Sequence, residues 1–197
     1  MKMPVTGEVL VRLKTETQAL HLAMERALNL THPSLTLPAY RTYLEKFLGF
    51  YRPVEGSLLA IGGWRERGLD LEARRKVPLL EADLRILGAE PERLLPCEAP
   101  PRLATPAEAF GCLYVVEGAT LGGTIIYRHV QQVLGLAAET GARFFYGYGN
   151  ENGPMWRSFG AALRAYATTS ALEDAIVRSA VETFDRLHQW FIQGDPA

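Results

Sequence analysis

Between Thr105 and Leu134 the chain carries a helix-start signal, a long apolar pattern at three- and four-residue spacing, and no proline after the first turn. Thr105-Pro106-Ala107-Glu108 is a capping box with proline at the first helical position. Strand signals are nearly absent elsewhere, and no alternation of strand and helix patterns is visible. The chain is therefore expected to be all-α, a helical bundle of about six or seven helices forming one domain over residues 1–197.

The other helices follow from similar signals. From Glu8 to Leu28, Val9, Leu10, Leu13, Leu20, Met24 and Leu28 form an apolar stripe, with Thr6 placed to cap it and Glu8 suited to its positive end. Thr36 and Pro38 open a second helix that runs to about Ile61 and stops at Gly62-Gly63. Asp70–Leu87 reads as a helix broken or kinked at Pro78, with Gly88 as its stop. Residues 89–104 are a proline-rich connector, and 141–153 (GARFFYGYGNENG) a glycine-aromatic loop or short extended piece. A helix from about Pro154 to Ala167 follows. Ser170-Ala171-Leu172-Glu173 is a second capping box, opening a last helix to about Ile192.

Composition excludes several classes of function. With 21 basic and 22 acidic residues the net charge is −1, which gives no general attraction to nucleic acid or an anionic membrane. No apolar run approaches the ~20 residues of a membrane span, and no signal-peptide pattern stands at the N-terminus. Two cysteines, Cys97 and Cys112, are too few for a disulfide framework. A cytoplasmic, small-molecule protein is the expectation.

Two features could carry chemistry. His21 shares a helix face with Lys14, Thr17 and Glu25. It is either a boundary histidine paired with Glu25 or a metal ligand oriented by that carboxylate. No second His or Cys stands at a zinc-like spacing, but a single axial histidine is enough for haem iron. The second feature is GCLYVVEGATLGGTIIYRHV, where Gly118, Gly122 and Gly123 interrupt a helix at roughly 1 kcal/mol each. About 3 kcal/mol is a large outlay against a typical stability of ~5–15. Gly111, Val115, Gly118 and Gly122 recur about once per turn, so they share a nearly bare face. That face suits either close helix packing or the approach of a flat ligand.

The first helix, LKTETQALHLAMERAL, resembles the proximal helix of haem oxygenases, with its Leu-Lys-x-x-Thr-x-x-x-His pattern and a Glu four residues on. EGATLGG is similar to the glycine-rich distal helix of that family. VPLLEADLRILG, GARFFYGYGNENGPMW and AVETFDRLHQWF look like its bacterial, bacteriophytochrome-associated branch. The resemblance implies haem b as substrate and prosthetic group, sandwiched between the two helices and cleaved with O2 and electrons to biliverdin, CO and Fe2+. It makes His21 the iron ligand, Glu25 its hydrogen-bonded neighbour and Lys14 a propionate contact. Gly118, Gly122 and Gly123 would line the distal face. It further implies an external electron donor (a ferredoxin, a reductase or a small reductant) and release of iron or supply of bilin to a bacteriophytochrome.

One departure stands out. Many members of the family carry an aspartate directly after the first distal glycine, and this chain has Ala119. Proton delivery would fall to waters held by backbone carbonyls and the hydroxyl of Thr120. Glu117 points about 100° away from Gly118, which favours a salt bridge elsewhere. The departure keeps open a non-catalytic haem carrier or sensor. A thiaminase-like hydrolase would need Cys112 beside a carboxylate, but Glu117 is five residues away on the same helix. His32, His129 and His188 read as surface or packed residues. Trp156, Phe159, Phe184, Trp190 and Phe191 read as core. Arg157 and Tyr148 are weaker candidates for a propionate.

Overall fold

The computed structural model describes residues 8–193, and those residues contain helices and turns but no strand. Seven α-helices follow in order: α1 Glu8–Leu28, α2 Leu37–Ile61, α3 Val77–Ile86, α4 Pro106–Leu134, α5 Arg143–Tyr146, α6 Asn152–Tyr166 and α7 Ser170–Ile192. Single 3-10 turns occur at Glu72–Arg74, Pro91–Arg93 and Gly149–Glu151. The expected cap of α1, Thr6, lies outside the described residues.

α4 is the axis of the bundle. Thr105 and Glu108 form the expected reciprocal cap, and Gly135 ends the helix in the left-handed conformation at φ 67°. α7 packs along α4 so closely that a Cβ at Gly111 would stand 2.2 Å from the Ile176 carbonyl oxygen. The Ser179 hydroxyl donates to the Glu108 carbonyl at 2.7 Å across the same contact. α1 lies on α7 as well. Arg12 pairs with Asp174 at 2.8 Å near the start of α7, and His21 meets Phe184 further along it. Glu108 meets Ser179 and, one turn on, Cys112 bonds Thr183, so α1, α4 and α7 all run in the same sense.

By length and composition α4 could cross a membrane, with mean hydropathy 1.5 over the relevant window. This corrects the expectation that no segment reaches that length. Its apolar character belongs to a core helix, half of that window being buried among α5, α6 and α7.

α2 contains Pro53 yet continues through it. Proline lacks the N–H that would bond the carbonyl one turn back. That carbonyl, Gly49 O, instead accepts from the Cys97 N–H at 2.9 Å, which ties the proline-rich connector to α2. Gly49 is required there, since a Cβ would lie 2.7 Å from the Trp190 ring.

The break expected at Pro78 is present, since the segment divides into the 3-10 turn Glu72–Arg74 and α3, and Pro78 sits in the first turn of α3, where its missing N–H costs nothing. The Glu55 carboxylate of α2 caps that turn, accepting from the backbone of Lys76 and, at 2.9 Å, of Val77. The cap of α7 is Thr169, which accepts from Leu172 N at 3.3 Å, one residue before the expected Ser170. Glu173 reaches Arg12 rather than closing a box. Residues 141–153 form the short α5 and a 3-10 turn rather than an extended piece, because Asp83 caps α5 by accepting from Arg143 N at 2.9 Å and Phe144 N at 2.8 Å.

Two outcomes follow for stability. Gly111→Ala must part α4 from α7, and overpacking of this kind should lower unfolding free energy by about 3 kcal/mol in a urea titration. Asp83 is wholly buried, and burial lifts its carboxyl from the ordinary 3.8 to about 6 despite the two N–H donors. The folded state thus holds this proton more tightly than the unfolded chain. Its contribution is complete below about pH 4 and lost as pH rises through about 6. Asp83→Asn should lack that decline, so urea midpoints compared at pH 4, 5 and 6.5 should shift progressively in favour of the variant.

Candidate functional site

The spacing of α1 turns Lys14, Thr17, His21 and Glu25 to one flank. Thr17 is buried and donates to the Leu13 carbonyl at 2.6 Å, while Lys14, His21 and Glu25 are exposed. The His21 side chain is 57% exposed, with Nδ1 3.6 Å from Glu25 Oε1 and the ring edge-on to Phe184 at 6.0 Å. A carboxylate facing Nδ1 favours the tautomer that leaves the Nε2 lone pair free to ligate.

α4 meets this flank through Tyr114. Burial raises the Tyr114 phenol, and a hydrogen bond with Thr17 partly offsets it. One turn beyond that contact stand His21 on α1 and Gly118 on α4. Because the two helices run in the same sense, both lie on the same side of it. Gly122 continues the α4 face about 40° round from Gly118, and nothing lies within 4 Å of where its Cβ would be. Leu121 and Ile125 flank the glycines, Ile125 being 65% exposed. An exposed apolar strip on a core helix, kept bare by glycine and set beside an exposed imidazole, fits a flat apolar ligand with one iron to ligate. Among the described residues no group of three or more His, Cys, Asp and Glu side chains is placed to hold an ion.

Two residues expected here lie elsewhere. Gly123 faces α5, its Cβ position 3.1 Å from the Phe145 carbonyl oxygen, so it is a packing glycine. Thr120 is buried on the opposite side of α4, its methyl against Gly147 and its hydroxyl unbonded within the fold. Its phase, two residues from Gly118, turns it some 200° away. Ala119 is exposed.

Trp156 on α6 packs against the core and Phe159 as its spacing suggested, and its ring also stands beside Gly118. Its half-buried ring lies 3.7 Å from where a Gly118 Cβ would stand and packs against Tyr114 at 5.8 Å. Phe159, Phe184 and Phe191 are core as expected.

Behind Gly118, on the far flank of α4, lies a buried ionic cluster. Glu117 pairs with Arg74, accepts from the Tyr148 hydroxyl at 2.7 Å and stands 3.6 Å from Lys76 Nζ. This is the salt bridge its phase suggested, and it removes Tyr148 from the propionate candidates. Burial pushes the Lys76 ammonium down to about 8 against the pull of Glu117. Lys76 also lies 3.6 Å from the centre of the Tyr148 ring. Arg157 is exposed. His129 contacts the His32 carbonyl at 2.9 Å, and His32 the Ser34 hydroxyl at 2.6 Å. Cys112 is wholly buried and its thiol pushed up to about 12, which removes the nucleophile a hydrolase would need.

Comparison with known proteins supplies the family. Residues 8–193 match the family described as "Heme oxygenase". A haem oxygenase of Xanthomonas campestris is 29% identical over 150 residues, covering 75% of this chain and 87% of that protein. The NO- and CO-bound haem oxygenase from Neisseria meningitidis superposes with TM-score 0.80 at 25% identity, over 96% of this chain and 94% of that one. The haem oxygenase from Leptospira interrogans gives TM-score 0.72 at 17% identity over 93% and 98%, which speaks for the fold alone. The chain belongs to the haem oxygenase family, and the oxidative degradation of haem is its activity.

Proposed function

We propose that the chain, acting as one haem-oxygenase unit, converts haem b with O2 and electrons to biliverdin, CO and Fe2+. His21 is the iron ligand. The observation that carries this reading is the placement of His21 and the Gly118–Gly122 face one turn beyond the same Thr17–Tyr114 contact. Bound haem supplies both the iron that activates dioxygen and the meso carbon that is oxidised. The protein's part is to hold, orient and exclude. Glu25 fixes the His21 imidazole, Lys14 offers a cation on the same flank for a propionate, and the missing side chains at Gly118 and Gly122 give the ring and a small diatomic ligand their space. With Ala119 in place of an acid and Thr120 turned away, protons must travel along waters ordered by α4 backbone carbonyls. Electrons come from a ferredoxin, a reductase or a small reductant. The bilin product suits delivery to a bacteriophytochrome in the cytoplasm, with iron released in the same reaction.

Hemin titration followed by reductive turnover tests the reading. Wild type should bind one hemin with a histidine-ligated spectrum and yield a linear tetrapyrrole, whereas His21→Ala should lose that spectrum and the turnover. Ring cleavage that persists undiminished in His21→Ala would overturn the ligand assignment, and intact haem after turnover of wild type would favour a carrier. Gly122→Ala should act in opposite directions on two measurements. Removing a helix-interior glycine in open space should stabilise the apoprotein by about 0.5–1 kcal/mol. The added methyl should weaken hemin binding by about 1–3 kcal/mol. Thermal melts and hemin titrations of the same preparation give both signs.

A further inference from the structure

The ionic cluster behind α4 has a second attachment. Arg74 is 5% exposed and forks between two helices. Its Nη1 donates to the Glu117 carboxylate on α4, while Nη2 donates to the Ser158 hydroxyl at 2.7 Å and the Met155 carbonyl at 3.2 Å on α6. Glu117 immediately precedes Gly118, and Met155 immediately precedes Trp156. One planar cation therefore ties together the two backbone stretches whose separation sets the gap between Gly118 and the Trp156 ring. The opposite oxygen of Glu117 is held by Tyr148, so the carboxylate cannot swing to follow a displaced partner.

We propose that Arg74 is a positioning residue that fixes this gap, and with it the in-plane seating of the tetrapyrrole and the meso carbon that is cleaved. The proposal rests on the haem reading above. The periphery of the macrocycle is asymmetric, so a wall displaced by a fraction of an ångström changes which edge it accepts. A guanidinium is required because its rigid fork serves three acceptors in fixed directions; an ammonium in the same place keeps the charge and loses the geometry.

The test compares wild type, Arg74→Lys, Trp156→Phe and the double variant. Each is loaded with hemin as the cyanide complex, with two readouts: the hemin methyl resonances, which report ring seating, and the isomer composition of the bilin after turnover. Arg74→Lys should fold, bind hemin through His21 and change the ratio of methyl sets and of isomers by roughly threefold or more. Trp156→Phe should do likewise, and the double variant should add nothing to the larger single effect. A purely structural Arg74 would lower the melting temperature and leave both ratios at their wild-type values, which overturns the proposal. Additive effects in the double variant overturn it too. Should Arg74→Lys fail to fold, Ser158→Ala removes only the α6 arm; altered ratios then support the proposal and unchanged ratios overturn it. Failure of wild type to bind hemin would instead defeat the haem reading on which all of this rests.

Discussion

The approach of α4 to α7 at Gly111 governs the bundle. With the Ile176 carbonyl where a side chain would start, the two helices meet backbone to backbone. α4 is thereby fixed in rotation as well as position. Once Gly111 points at α7, Glu117 is directed into the buried ionic cluster and Gly123 against α5. Gly118 and Gly122 share the phase of Gly111 two and three turns on, where nothing lies within 4 Å of the Gly122 Cβ position.

Glycine in this helix has two physical roles that a sequence pattern cannot separate. At Gly111 and Gly123 it admits neighbouring backbone; at Gly122 it preserves empty space, and at Gly118 ordinary clearance from a tryptophan. Helix packing describes Gly111 and Gly123, and Gly122 keeps the open face that the proposed ligand approach needs. Periodicity assigns a residue to a face but does not say what covers that face.

The same distinction explains what was legible beforehand. Helix limits written in local chemistry, such as the Thr105–Glu108 box, could be read directly, and so could the His21–Glu25 flank. The start of α7 slipped by one residue because Thr169 and Ser170 are both competent caps and only packing decides between them. α5 was invisible because its N-terminal donors are satisfied by Asp83, 60 residues away. The Arg74–Glu117 pair, separated by 43 residues, left no trace beyond the phase of Glu117. The spacing of Trp156 and Phe159 showed the core contact of Trp156 but not its place beside Gly118, which only the packing of α6 on α4 reveals.

The dependence of α1 and α4 on α7 bears on biosynthesis. Both walls of the proposed cleft rest on a helix translated after them, through Arg12 with Asp174 on one side and Gly111 with Ile176 on the other. Contacts so distant along the chain form late. Until α7 has formed, the imidazole of α1 and the glycine stretch of α4 have no common support, so the proposed cleft is assembled last, with the final helix.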